Sequence, residues 1–267
     1  MLRERVITAL VLVPLVLLVI FWVPHELTMG VLLVLVALAA WEWAAFPGFT
    51  RHSARLAYSG AVSACVLAIW SYGVDRSELD VLMDLAILWW IVALLWVVAA
   101  PLRVNRAAAA IAGVLVLVPV WLALVRLHKF PEYGPQLMLF LLLLVAAADV
   151  GAYFAGSRYG RNKLAPKVSP GKTWEGVAGG VLAAAVLAAL GVWYFGAATA
   201  PFLVLCIVVA AASIVGDLTE SLFKRHAGLK DSGSLLPGHG GLLDRVDSVT
   251  AAAPVFLVGL ERLGLLR

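Results

Sequence analysis

Long apolar runs separated by short polar islands make up most of the chain, and nine can be drawn: 6 to 23, 27 to 46, 56 to 73, 85 to 102, 107 to 125, 137 to 156, 177 to 195, 201 to 223 and 248 to 264. Each is close to the roughly 20 residues that a helix needs to cross a bilayer's hydrocarbon. A lipid-exposed backbone must satisfy its own hydrogen bonds, so every run predicts a helix. The expected fold class is an all-α polytopic integral membrane protein with about nine transmembrane helices.

The polar islands sort by charge. With the N-terminus in the cytoplasm, 15 of the 20 Lys and Arg residues fall in cytoplasmic segments, leaving Arg76, Arg126, Lys129, Arg262 and Arg267 on the other side. This bias follows the positive-inside rule, and an odd number of spans then puts the C-terminus on the opposite side. The two longest polar loops, 157 to 176 and 224 to 247, land together on the cytoplasmic face. Residues 1–136 are expected to form five spans of scaffold facing lipid, and residues 137–267 four spans that carry the chemistry.

Composition supports the bilayer reading: 63% of residues are hydrophobic, 13% are charged, and the mean hydropathy is +1.00. Soluble domains carry about a quarter charged residues. The net charge of +4 resides in short loops rather than on one long basic face, which favours anionic lipid or a phosphorylated substrate over nucleic acid. Val6 to Val23 follows a basic start but ends without a small-x-small cleavage site, so it predicts a retained span rather than a removed signal peptide. Cys65 and Cys206 lie far apart within apolar runs and read as packing residues.

Candidate chemistry is confined to a few places. Glu42, between Trp41 and Trp43 near the end of its run, reads as an interfacial carboxylate within reach of water. Asp75, Glu78, Asp80 and Asp84 read as a solvated outer loop. Asp149 is different, because it follows Leu-Leu-Leu-Leu-Val-Ala-Ala-Ala well inside a span, where an ionised acid costs roughly 2.5 to 3.5 kcal/mol. It requires a partner or a function. In the loop that follows, Gly171-Lys172-Thr173 looks like the end of a P-loop, but Pro166 stands where the first glycine belongs, so that reading fails. A basic loop with Ser169, Lys172 and Thr173 at a helix start remains, a setting suited to phosphate.

Gly216 to Ser248 is the most polar stretch. Asp217, Glu220, Ser221 and Lys224 are spaced i, i+3, i+4 and i+7, which puts them on one helical face, and Asp244, Asp247 and Ser248 repeat the start of that spacing. Leu-Pro-Gly-His-Gly-Gly lies between, as a turn whose amides can approach a ligand. Clustered carboxylates beside Lys and Arg suit Mg²⁺ bound to a nucleotide polyphosphate.

These residues carry a resemblance. Ser221-x-x-Lys224-Arg225, then Lys230-Asp231, then Pro237-x-His239-Gly240-Gly241-x-x-Asp244-Arg245-x-Asp247 resembles the signature of the phosphatidate cytidylyltransferases, or CDP-diacylglycerol synthases. Asp149-x-x-Ala152-Tyr153-x-x-Gly156 and Ser169-Pro170-x-Lys172-Thr173-x-Glu175-Gly176 are similar to that family too. Gly171 departs from it, standing where a second Lys is often found. The resemblance covers about residues 149 to 250.

It implies transfer of the cytidylyl group of CTP to phosphatidic acid, at the cytoplasmic face of the cell membrane, giving CDP-diacylglycerol and pyrophosphate. The expected metal ligands are Asp217, Asp244, Asp247 and Asp149 for Mg²⁺, with a second, monovalent cation left open. Lys172, Lys224, Arg225, Lys230, His239 and Arg245 are the expected catalytic and phosphate-binding residues. Ser169, Thr173, Glu175, Ser221, Asp231, Gly240 and Gly241 are the expected substrate contacts. Partners would be CTP, phosphatidic acid and membrane lipids, without nucleic acid, and a homodimer is left open. The rivals are a CTP-using lipid kinase, a CDP-alcohol phosphotransferase, whose Asp-Gly-x-x-Ala-Arg motif is missing, and a non-enzymatic transporter of anions.

Overall fold

The structure is a computed structural model that describes residues 2–101, 104–235 and 240–264, with side chains of the first helix described from Leu10 onward. Among the described residues nine α-helices follow one another: α1 (Leu2–Phe21), α2 (His25–Trp43), α3 (His52–Tyr72), α4 (Asp80–Ala99), α5 (Arg106–His128), α6 (Gly134–Tyr159), α7 (Trp174–Phe195), α8 (Thr199–His226) and α9 (Leu243–Leu263). Seven of these, α2 to α8, are long and apolar enough to cross a membrane. Every apolar run found in the sequence lies on one of the helices, which is the outcome expected when lipid denies the backbone any other hydrogen-bond partner.

Two differences from the sequence reading bear on function. The 157 to 176 segment is not wholly a loop. It contains an antiparallel pair of strands, β1 (Lys163–Ala165) and β2 (Ser169–Thr173), with Lys163 opposite Thr173 and Ala165 opposite Ser169. Second, α9 begins at Leu243, five residues before the apolar run at 248, with Asp244 and Asp247 in its first turns as their i, i+3 spacing implies.

Helix α5 lies deepest, with Leu117, Trp121, Leu122, Val125 and Leu127 fully enclosed, whereas α3 buries only Ser59, Val62 and Val66. Indole N–H groups tie α5 to α2: Trp43 donates to the Ala109 carbonyl at 2.8 Å and Trp121 to that of Met29 at 3.2 Å. A buried indole N–H usually takes such a partner, so these two tryptophans fix orientation as well as fill volume.

Small residues set the two tightest helix pairs. Between α6 and α7, a Cβ added at Gly151 would stand 2.6 Å from the Gly179 carbonyl oxygen, and one at Gly180 would stand 2.8 Å from that of Ala148. Between α8 and α9, a Cβ at Gly216 would stand 2.5 Å from the Asp247 carbonyl oxygen. In hydrocarbon, where apolar burial gives little drive between helices, such approach supplies packing contact instead. It also places the faces bearing Asp217 and Asp247 against each other.

At the opposite end of the bundle, the acidic cluster is paired rather than merely solvated. Buried Arg126 donates to Asp80 at 2.7 Å and to the carbonyls of Val74 and Arg76, while Lys129 pairs with Asp75 and Arg262 with Asp84. Arg126, Lys129 and Arg262 are thus each matched to a local acid, while Arg76 donates to the Tyr72 carbonyl.

Candidate active site

The hairpin delivers Lys172. Thr173 caps α7 by accepting the Gly176 N–H at 3.1 Å, and Glu175 in the first turn accepts the N–H groups of Arg161 and Asn162 and the Asn162 side-chain amide at 2.8 Å. Both residues are among the expected substrate contacts, and in the structure their hydrogen bonds brace the hairpin against the helix. So held, Lys172 is half-buried and its Nζ lies 2.6 Å from Oδ2 of Asp217 on α8. Ser169 is half-buried at the start of β2.

On α8 the expected face is formed. Ser221 donates to Asp217 Oδ1 at 3.3 Å, one turn away. Lys224, 9% exposed, lies between two carboxylates, 3.1 Å from Glu220 Oε1 and 2.8 Å from Asp244 Oδ1 on α9. Asp247, one turn beyond Asp244, interacts electrostatically with Asp217, Lys224 and Lys172. Asp149, on α6, does so with Lys172 and Asp217 and is exposed rather than packed away. The two halves of the chemistry, α6 with the hairpin and α8 with α9, therefore meet in one cluster.

Residues 227 to 235 and 240 to 242 lie against it. Asp244 accepts the backbone N–H of Ser232 at 3.0 Å and that of Gly241 at 3.0 Å, in addition to Lys224. Gly240 has φ +86°, a conformation that side chains with a Cβ rarely adopt, and its position brings the chain past both Asp231 and Asp244. Lys230, Asp231 and Arg245 are exposed. Arg225 reaches the Val168 and Leu229 carbonyls, each at 3.4 Å, and so links α8 to the hairpin turn. His239 lies outside the described residues.

Two acids in this cluster had no assigned role from sequence. Glu220 was visible on the right helical face, and its spacing pointed to it. Glu42, expected at the interface within reach of water, is instead 2% exposed and lies beneath the loop. Its Oε2 accepts the Leu243 N–H at 2.8 Å and the Ser232 hydroxyl at 3.2 Å. The signal that singled out Asp149, a carboxylate set in an apolar run, was present at Glu42 as well; the flanking tryptophans disguised it. Trp43 is not interfacial either, being buried against Phe46 and Phe223.

Among the described residues, acids outnumber cations at the enclosed centre of the cluster. Asp149, Asp217, Glu220, Asp244 and Asp247 stand against Lys172 and Lys224 as the enclosed cations, and both carboxylate oxygens of Glu220 lie inside without a well-directed hydrogen bond. Excess negative charge in an apolar surround is costly unless a cation joins it. These are hard oxygen donors of the kind magnesium takes. Among the described residues, no three acid, His or Cys side chains converge at ligand spacing, and Lys172 and Lys224 pair with Asp217 and Asp244.

Comparison with known proteins adds the chemistry's lineage. The sequence profile of the Cytidylyltransferase family matches residues 3–262. A phosphatidate cytidylyltransferase of Pseudomonas aeruginosa is 44% identical over 264 residues, covering 96% of each chain. One of Haemophilus influenzae is 37% identical over 282 residues, covering 96% of this chain and 97% of its own. A third, of Bacillus subtilis, is 39% identical over 141 residues, about half of either chain. With a buried cluster of acids and lysines at one end of a membrane bundle, and similarity that runs through nearly all of its length, this chain belongs to the cytidylyltransferase family of enzymes.

Proposed function

We propose that this protein transfers the cytidylyl group of CTP to phosphatidic acid, giving CDP-diacylglycerol and pyrophosphate for phospholipid biosynthesis, in a magnesium-dependent reaction at the cytoplasmic face of the cell membrane. The observation that carries this reading is the Lys172 to Asp217 bridge, which joins a basic hairpin to an acid-rich helix pair in one site. Relatives named phosphatidate cytidylyltransferase, similar over 96% of the chain, supply the reaction class.

The chemistry asks for positioning and charge neutralisation rather than a strong base. A phosphate monoester is already anionic near neutral pH. Its oxygen forms a bond to the α-phosphorus of CTP, and the bond from that phosphorus to the bridging oxygen breaks, leaving with its electron pair as pyrophosphate. Asp217, Asp244 and Asp247, with Asp149 beside them, would hold the metal ion. When bound, magnesium neutralises polyphosphate charge and orients the phosphoryl oxygens. Lys172 and Lys224 are placed to exchange a carboxylate partner for a phosphate oxygen, since each already lies within 2.8 Å of an anion. Lys230 and Arg245, both exposed, suit the outer phosphates of the nucleotide.

The setting fits a reaction between a lipid and a soluble nucleotide. The bundle's flanks are apolar, and Asp149 is exposed on α6, so the site is open to a lipid headgroup from the side. The bias of 15 of 20 cations toward one face supports a cytoplasmic orientation. The deciding experiment is product analysis with CTP labelled separately in the base and in the γ-phosphate. Base label in lipid with γ-label in pyrophosphate is expected, and γ-label in lipid would establish a lipid kinase instead.

A further inference from the structure

Glu42 comes from α2, about 190 residues before the segment it touches, and the arrangement around it is that of a clamp. Helix α9 starts without a side-chain cap of its own, because Leu242 at the N-cap position has no hydrogen-bonding group to offer. The first N–H groups of any helix need partners from outside the helix, and a carboxylate there also meets the favourable end of the dipole. Glu42 fills that role from another helix, through Oε2 to the Leu243 N–H. The same oxygen accepts the Ser232 hydroxyl, so one carboxylate joins Ser232 to the start of α9.

The fit is close on the glycine side. A Cβ at Gly241 would stand 2.6 Å from Glu42 Oε2, and one at Gly233 would meet the Glu42 carboxylate directly. Both glycines are therefore matched to this acid. Oε1 is buried with no hydrogen-bond partner among the described residues. Ser232 is divided between two acids: its N–H goes to Asp244 and its hydroxyl to Glu42.

We infer that Glu42 is a positioning residue of the active site: it anchors Ser232 and the start of α9 independently of Asp244. Asp244 can then exchange Lys224, Ser232 and Gly241 for ligand while Ser232 and the start of α9 stay in place. This last step rests on the proposed reaction; the anchoring does not.

The test uses full-length protein in detergent micelles, as wild type, Glu42→Gln and Glu42→Ala, with two readouts. Amide hydrogen exchange follows peptides across 229 to 245, and labelled CTP with phosphatidic acid gives kcat and KM. In Glu42→Ala, exchange around Ser232 and at 240 to 243 is expected to rise roughly tenfold or more, since two hydrogen bonds to a buried charge are lost. Its kcat should fall by roughly 10- to 100-fold through misplacement of α9, with KM for CTP changed only a few-fold. Glu42→Gln keeps an acceptor oxygen of the same reach and should restore most of both. Unchanged exchange in Glu42→Ala overturns the inference. So does faster exchange with normal kcat, or faster exchange spread equally through α3 and α4, which would mark a general packing role. If Glu42→Ala does not fold, Glu42→Gln decides: unless it keeps near-normal exchange and turnover, the inference fails. If wild-type protein makes no CDP-diacylglycerol, the proposed reaction fails, while exchange still decides the anchoring.

Discussion

Replacing Asp244 with Asn would test the cluster at its most connected point. Asp244 accepts from Lys224 Nζ at 2.8 Å, from Ser232 N at 3.0 Å and from Gly241 N at 3.0 Å. Asn keeps the volume and one acceptor oxygen, but it turns the second oxygen into a donor that faces donors, and it removes the charge opposite Lys224. Hydrogen bonds to a charged group contribute about 1.5 to 3 kcal/mol each, and stripping one partner from a buried pair costs about 3 to 5 kcal/mol. Lys224 retains Glu220 at 3.1 Å, and Glu42 retains its hold on the loop, so the lower end, about 3 kcal/mol, is the expected destabilisation. Tryptophan fluorescence during thermal unfolding in micelles would read it. Turnover of labelled CTP into lipid, measured well below the unfolding transition, should fall by more than about a hundredfold if Asp244 also takes part in transition-state stabilisation. Turnover within a few-fold of wild type in folded protein would refute its assignment as a metal ligand, and an unchanged unfolding temperature would refute the energetic reasoning.

Other outcomes follow from single contacts. Lys172→Ala removes a bridge that is about a quarter exposed, so stability should drop by about 1 kcal/mol or less, while KM for CTP rises at least several-fold; an unaltered KM would separate Lys172 from the nucleotide. Gly216→Leu forces α8 and α9 apart at the Asp247 carbonyl and should cost about 1 to 3 kcal/mol, seen as a lower unfolding temperature with loss of turnover. Thr173→Ala deletes the α7 cap, at a cost of about 0.5 to 2 kcal/mol, and should expose the hairpin to limited proteolysis between Lys163 and Lys172. For orientation, Lys167→Cys in a chain with Cys65 and Cys206 replaced should react with an impermeant maleimide only after cells are opened; labelling of intact cells would reverse the topology.

Much of this molecule is local and therefore legible in one dimension. Apolar runs of span length became helices because lipid leaves a backbone no other way to satisfy itself, and their limits moved by only a few residues. The spacing of Asp217, Glu220, Ser221 and Lys224 required only the helical period to predict a shared face, and the Lys224 contact one turn back to Glu220 is its direct expression. What the chain concealed depends on distance in sequence. Thr173 and Glu175 stand among the substrate contacts that the resemblance implies, and that they also brace the hairpin against α7 depends on where Arg161, Asn162 and Gly176 lie. The spacing of Asp244, Asp247 and Ser248 put them at the start of α9, but nothing local showed that an acid on α2 accepts its first N–H. Composition and period report what a residue is and which way its own helix turns it. Which buried carboxylate finds an orphan N–H about 200 positions away is set by how the helices pack, and so Glu42 acquired its place in the site only in three dimensions.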